Sequence, residues 1–414
     1  MTIARTLPDP AALYDSASAL ADEIVMLRRA IHAEPETGLH TPATMAKVRA
    51  ALADLPLEWR EGTSTTGQVA VLTGGRPAAP GHSSVILRGD MDALEMEERT
   101  GLPFASTVPG RMHACGHDTH TAMLAGAARL LCERRDEIAG EVLFMFQPGE
   151  EGHHGAHYML EDGLLESEAG GGFPQAAFAL HVMPNARHGL IAGRTGALMA
   201  SADQFDIVVE GRGGHASMPH DTADPVPAAA AIVGALQTMV TRRFDAADAV
   251  VCTVTRMDAG TAHNIVPDTA RLRGTLRSLS PRHHQRLRDL LRETATATAA
   301  AHGVEARVEI VEGFPVTICD ARAVAAGQAV ATELFGAEDW KTLDAPIMGA
   351  EDFAYVLERT PGAMFFLGVA AEGEDFSACC GIHSPRMVVD EGALPRGTAL
   401  LAGCTLRFLE RGWN

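Results

Sequence analysis

SVILRGDMDAL, residues 84–94, is a continuous apolar run that breaks into charge at Arg88, Asp90 and Asp92. The plan recurs along the chain. EVLFMFQPGEEG (141–152) ends in Glu150 and Glu151, QAAFALHV (175–182) carries His181 near its end, and AMFFLGVA (363–370) leads by a loop to His383. Short apolar runs that do not alternate with polar residues suit strands buried on both faces. Helical patterns such as HTAMLAGAARLLCERRDEI (120–138) and GAHYMLEDGLL (155–165) lie between them. The alternation predicts an α/β domain, a mixed sheet flanked on both faces by helices. In open sheets of this kind the crevice beyond the carboxyl ends of the strands is where sites form, so residues distant in sequence converge there.

Upstream, Asp9-Pro10 reads as a helix cap followed by a first-turn proline, and Leu13, Ala17, Leu20, Ile24, Leu27 and Ile31 recur at helical spacing. Downstream of Ala202 the texture changes. DQFDIVVEG (203–211), AVVCTVTRMDAG (249–260), TARLRGTLRS (269–278) and EARVEIVEG (305–313) are strand-like, with helical stretches at 224–243 and 281–303. The order βαββαβ predicts a ferredoxin-like α+β satellite domain inserted at 198–313 into a larger domain formed by 1–197 and 314–414.

At 414 residues two domains are the default, and 46% hydrophobic with 21% charged residues is the composition of an ordered globular protein. The 53 acidic against 34 basic side chains give a net charge of -19, which argues against nucleic acid or anionic membrane as a partner. The seven cysteines are odd in number and irregularly spaced, which disfavours a disulfide framework and favours a reducing cytoplasm. The N-terminus MTIARTLPDP lacks the apolar core of a signal peptide, and AAAAIVGALQTMV is too short to span a bilayer.

MHACGHDTH (112–120) crowds three histidines, a cysteine and an aspartate into nine positions ahead of a helix. Taken singly, Cys115, His181 and His383 have plainer readings as buried or hydrogen-bonded residues. Asp90 and Asp92, or Glu150 and Glu151, equally suit a helix N-terminus. Their convergence at strand ends is what points to metal chemistry: Cys-x-His, paired glutamates and two further histidines are enough donors for two divalent ions. Adjacent glutamates leave a strand in different directions, so one can bind metal while the other faces a nearby water as general base. A rival reading makes Cys115 a nucleophile with His117 as its base, but such pairs are more usually assembled from distant segments.

The motifs RGDMDALEMEE, MHACGHDTHTAMLAGAA, FMFQPGEEG, ALHVMPN, GRGGHASMPHDTADPV, AHNIVPDTARLRGTLRS, MGAEDFAYVL and IHSPR occur in that order between residues 88 and 386. Together they resemble the hippurate hydrolase and N-acyl-amino-acid amidohydrolase family, which includes auxin-conjugate hydrolases within the metallo-aminoacylase and metallocarboxypeptidase superfamily. The resemblance implies two metals, zinc, manganese, cobalt or nickel, held by Cys115, His117, Glu151, His181 and His383, with Cys115 bridging. It implies Glu150 as general acid/base and Asp92 as a carboxylate orienting the site. It implies homodimerisation through the satellite domain, with His215 stabilising the oxyanion in the partner's site and Asn264 holding the substrate. The implied substrate is a small N-acyl amino acid. A dipeptidase or carboxypeptidase-like enzyme and a non-catalytic metal-binding relative are the alternatives; the presence of Glu150 speaks against the last.

Two departures from the family pattern stand out. His153, His154 and His157 crowd the helix start after the glutamate pair, where they would narrow the pocket or bind adventitious metal. Cys379 and Cys380 form a vicinal pair near the last ligand, for which burial is the expected state. Glu351 and Asp352 are either helix caps or functional carboxylates.

Overall fold

The structure, a computed structural model, describes residues 9–373, 375 and 380–414. They form two compact units: one built from the chain up to Gly196, Ile318–Ala345 and Asp352 onward, the other from Ala197–Thr317 and Pro346–Glu351. The segment 346–351 groups with the second unit, not with the chain on either side of it.

The first unit is α/β, as expected. Its eight-stranded sheet has the order Glu58–Glu61, Gln68–Thr73, Glu141–Gln147, Ser84–Asp90, Ala176–Met183, Gly362–Gly368, Ile191–Gly193, Trp340–Thr342. The four middle strands run parallel. Antiparallel partners flank them on either side, so the sheet is mixed. Ser84–Asp90 and Gly362–Gly368 are buried at every position, which is why their sequences show no alternation. Asp90 pairs with Gln147, and His181 with Phe366, so the ligand-type residues leave the sheet along one edge. From Ser84–Asp90 the chain crosses by the helix His117–Glu133 to Glu141–Gln147 on one side; the next strand, Ala176–Met183, lies on the other side. This reversal makes Ser84–Asp90 the switch point at which a crevice opens.

The N-terminal periodicity spans two helices, Pro10–Ala19 and Ala21–His32, where one was expected. Asp9 caps the first by accepting from the Ala12 N–H at 3.1 Å. At the break, Leu20 leaves helical geometry (ψ 1°) yet stays buried, so the apolar face continues through it.

The second unit contains Ser201–Glu210, Pro225–Arg243, Val250–Ala259, Thr269–Ser278, Pro281–Ala301 and Glu305–Phe314, the βαββαβ order expected of a ferredoxin-like fold. Its four-stranded sheet is antiparallel, ordered 250–259, 269–278, 201–210, 305–314. Phe205, Ile207 and Val209 share a core with Ile232 and Leu236 of one helix and Leu287 and Leu291 of the other. The opposite face of the strand Ser201–Glu210 is less buried, the alternation of a sheet covered on one side.

No helix among the described residues is long and apolar enough to cross a membrane. Cys380 is exposed, contrary to the burial expected of it, and lies outside the helices and strands, where no packed layer covers it. Its neighbour Cys379 lies outside the described residues.

Candidate metal centre

The site grows from the loops at the carboxyl edge of the parallel strands. Beyond Ser84–Asp90, Asp92 turns back across the neighbouring strand's loop. The N–H groups of Glu150 and Glu151 donate to its two carboxylate oxygens, each at 3.0 Å. Asp92 therefore does not cap a helix; it ties the glutamate pair to the central strand and is buried while doing so.

The loop before the helix His117–Glu133 enters through Gly116, whose φ of 87° lies in the left-handed region. A Cβ there would fall 2.4 Å from Val182 Cγ2, so both conformation and space demand glycine. Gly89 performs the matching service in the strand, since a Cβ on it would meet the His120 carbonyl at 2.8 Å. The first turn of the helix thus rests directly on the strand end.

Backbone carbonyls orient two imidazoles. His117 Nδ1 lies 2.8 Å from the Asp92 carbonyl, and His181 Nδ1 lies 2.7 Å from the Val182 carbonyl. Carbonyls only accept, so in each ring Nδ1–H donates, and in the neutral ring Nε2 is the nitrogen left to accept or to ligate. His181 Nε2 stands 3.4 Å from Cys115 Sγ. His117 Nε2 is buried and makes no hydrogen bond among the described residues, lying 3.6 Å from Asp90 Oδ2 and 3.9 Å from Glu150 Oε2. His383 arrives from the far loop: its N–H donates to the Ala114 carbonyl at 2.6 Å, its φ is 61°, and its Nε2 lies 3.3 Å from Glu151 Oε1.

The donor atoms of Cys115, His117 and His181 lie within 4.8 Å of one another, and so do those of Cys115, Glu151 and His383. Five side chains from four segments thereby form two overlapping triads that share Cys115. Glu150, His117 and Glu151 make a third such group, which puts Glu150 on the rim.

The charge balance suits a cation. Burial pushes the Cys115 thiol up to about 12, which opposes a free thiolate at that position. Burial, with His120 and His117 beside it, holds His181 well below the usual imidazole range and keeps it neutral. Burial would lower His117 too, but Asp90 and Cys115 outweigh it and leave the ring raised. Burial likewise opposes the Glu151 carboxylate, yet His383 and His117 keep its pKa below the ordinary value. A buried imidazole nitrogen with no hydrogen bond among the described residues and a buried carboxylate oxygen facing His383, set beside a thiol and another imidazole, fit a borderline divalent ion such as zinc.

Beneath the site lie residues that periodicity and motif spacing did not assign. Arg88 is 2% exposed; its guanidinium donates to Asp90 Oδ2 at 2.5 Å, Gln147 Oε1 at 2.8 Å and Asp352 Oδ1 at 3.0 Å. Asp352 also accepts from the Gln147 amide and the Ala156 N–H. It is a buried anchor, not a helix cap, and burial raises its carboxyl to about 6. On the other side of the helix start, Asp118 accepts from Arg28 Nε at 2.7 Å and faces His32 Nδ1 at 2.8 Å. Arg28 and His32 are four residues apart on one helix face, and that spacing was the available signal.

The extra histidines do not join the site. His154 Nδ1 lies 2.9 Å from the Tyr355 hydroxyl, His157 Nε2 lies 3.2 Å from Glu161, and none of His153, His154 and His157 belongs to a metal-type group among the described residues. His215 and Asn264 are in the second unit, both exposed. They are neighbours there: Gly214–His215 pairs with Ile265–Val266, the Ala216 N–H donates to the Asn264 carbonyl at 3.1 Å, and His215 Nδ1 lies 2.8 Å from Ser217 Oγ.

Comparison with known proteins agrees with the kinship expected from the motifs. The chain is 36% identical over 393 residues to an IAA-amino acid hydrolase ILR1-like 4 of Arabidopsis thaliana, covering 94% of this chain and 86% of the relative. It is 34% identical over 400 residues to thermostable carboxypeptidase 2 of Saccharolobus solfataricus, covering 96% and 98%. The crystal structure of the Bacillus subtilis YxeP protein, described as a dinuclear metal-binding peptidase, superposes with a TM-score of 0.80 at 32% identity over 95% of this chain and 99% of that one. A family model for peptidases M20/M25/M40 matches residues 86–407, and with three quarters of its length so matched the chain belongs to the peptidase M20 family.

Proposed function

We propose that the protein is a binuclear metal-dependent amidohydrolase that cleaves the amide of N-acyl or N-aroyl amino acids, releasing a carboxylic acid and a free amino acid. The observation that carries this reading is the pair of donor triads sharing Cys115, with Glu150 at their rim. Relatives named IAA-amino acid hydrolase and thermostable carboxypeptidase support a bond to an amino acid as the one cleaved.

Zinc, manganese, cobalt or nickel held by Cys115, His117, Glu151, His181 and His383 would polarise the scissile carbonyl and make the attacking water more acidic. Glu150 takes the proton from that water as it attacks and later delivers it to the departing amine, so one carboxylate serves as base and then acid. Asp92 holds the Glu150 and Glu151 backbone amides and so sets the aim of both carboxylates. His215, supplied by the partner of a homodimer built through the second unit, stabilises the tetrahedral oxyanion; Asn264 holds the substrate's carboxylate or carbonyl. The six cysteines described are all unpaired, in keeping with a reducing cytoplasm.

The test is metal quantification together with hydrolysis of a panel of N-acetyl, N-benzoyl and indole-acetyl amino acids, set against dipeptides with a free amine. About two ions per chain and faster turnover of the acylated amino acids are expected. Preference for the free dipeptides would move the assignment to the peptidase reading that the carboxypeptidase relative favours. Metal binding without hydrolysis of either class would leave a non-catalytic relative.

A further inference from the structure

His120 is buried, stands outside the donor set proposed for the metals, and has both ring nitrogens engaged. Nδ1 lies 2.6 Å from Asp90 Oδ1, and the Val182 N–H donates to Nε2 at 2.9 Å. An amide can only donate, so Nε2 bears the lone pair and Nδ1 the hydrogen. On the other side, Asp90 is gripped by Arg88 at 2.5 Å, and Arg88 by Asp352 at 3.0 Å. The far end of this chain is His181. The Val182 N–H belongs to the peptide that joins His181 to Val182, the Val182 carbonyl receives His181 Nδ1–H, and the two imidazole rings meet edge to face with centroids 4.6 Å apart.

We infer that His120, braced by Asp90 and Arg88, is a positioning residue that fixes the backbone and ring of His181 so that His181 Nε2 points at Cys115. The inference rests on the reading of His181 as a metal ligand. Asp90, His117 and His120 also lie close enough to form a donor group of their own. Ligation through His120, however, would need a nitrogen already bonded to Asp90 or to the Val182 amide. Among the described residues His383 has no comparable brace: its side chain is about half exposed at 49% and is carried by a loop residue with positive φ. The brace therefore acts on the Cys115–His117–His181 triad and not on the Cys115–Glu151–His383 triad.

The experiment compares full-length wild type with His120→Gln, His120→Asn and His120→Leu. Gln places its amide oxygen where Nε2 stood and keeps an acceptor for Val182. Asn keeps a donor towards Asp90 only, and Leu keeps neither. Metal-free proteins are titrated with Co²⁺ against a chelator, the thiolate-to-cobalt absorption is recorded, and the melting temperature of each metal-free protein is measured. Asn and Leu should lose about 10–100-fold in affinity for one of two ions, with an altered thiolate band, while Gln stays within a few-fold of wild type. Wild-type affinity and spectrum in Asn and Leu would overturn the inference, as would equal losses in Gln and Asn that track their melting temperatures. A wild type that binds no cobalt would overturn the metal reading itself, whereas binding by the wild type with unaltered variants overturns this inference alone. Should the variants not fold, long-range ¹⁵N–¹H correlation of histidine-labelled wild type decides the matter. The Nδ1–H tautomer of His120 is expected, and the Nε2–H tautomer, which has no lone pair for Val182, refutes the proposal.

Discussion

Glu150 and Glu151 are adjacent, chemically identical, and held by the same aspartate, yet their surroundings divide them. Both reach towards His117 Nε2, Glu150 Oε2 at 3.9 Å and Glu151 Oε1 at 4.0 Å, but Glu151 Oε1 also lies 3.3 Å from His383 Nε2. Replacing Glu150 by Gln changes the proton-carrying capacity of that position and little of its shape. The expected outcome is a fall in kcat of about 10²–10⁴-fold with metal content unchanged, measured by steady-state kinetics and elemental analysis of the same sample. A variant that turns over at the wild-type rate would remove Glu150 from the chemistry. At Gly116 the constraint is steric. Alanine there would have to hold φ near 87° and would bring its methyl to 2.4 Å from Val182 Cγ2, beside the segment that carries His181. The left-handed conformation costs about 1–3 kcal/mol, and the overpacking adds a similar amount. Gly116→Ala should therefore lower unfolding free energy by about 2–5 kcal/mol in a urea titration, and a loss under about 1 kcal/mol would show that the loop yields.

The helix His117–Glu133 is held at its first turn by a helix from the N-terminal part of the chain. Asp118 accepts from Arg28 of Ala21–His32 and faces His32, whose other nitrogen lies 3.2 Å from Glu98. Burial would push the His32 imidazolium down, but Asp118 and Glu98 outweigh it and raise its pKa to about 9. A histidine raised on folding binds its proton more tightly in the native state, so its stabilisation is complete below the unfolded value of about 6.5 and is lost as the pH climbs through about 9. At roughly 1.4 kcal/mol per unit, that amounts to about 3 kcal/mol at most. His32→Gln should accordingly be less stable than wild type at pH 6, with the gap narrowing steadily towards pH 9.5, read from melting temperatures across that range. A gap of constant size would mean that hydrogen-bond geometry, not charge, holds the two helices. Arg28 also shows where pattern reading falls short: Leu27 was assigned to the apolar face, yet Leu27 is half-buried and the buried neighbour is Arg28. Apolar spacing carries no information about an ion pair whose partner lies 90 positions away.

Across the molecule, what could be read in the chain followed how much of the physics is local. The four parallel strands were visible because burial on both faces leaves unbroken apolar runs, and the second unit because its βαββαβ order alternates strand and helix patterns. The donor side chains were visible because chemistry of that kind is rare at strand ends and here occurs at four of them. The short strands Ile191–Gly193 and Trp340–Thr342 were not, being three residues each, too short for a period to register. Nor was the buried pairing of Arg88 with Asp352, since two charged side chains 264 positions apart carry no sign in the sequence that they meet. The same limit applies to His215, whose proposed work lies on another copy of the chain. If each active site draws Glu150 from one subunit and His215 from the other, then Glu150→Gln and His215→Ala homodimers are both inactive for different reasons. A heterodimer of the two, co-expressed with distinct tags and purified through both, contains one site that lacks both groups and one that has both. That heterodimer should recover about half of the wild-type activity per dimer. If the two groups came from the same chain, each site of the heterodimer would carry one defect. A heterodimer as inactive as its parents, or a wild type that sediments as a monomer while fully active, would therefore place His215 outside the partner's chemistry.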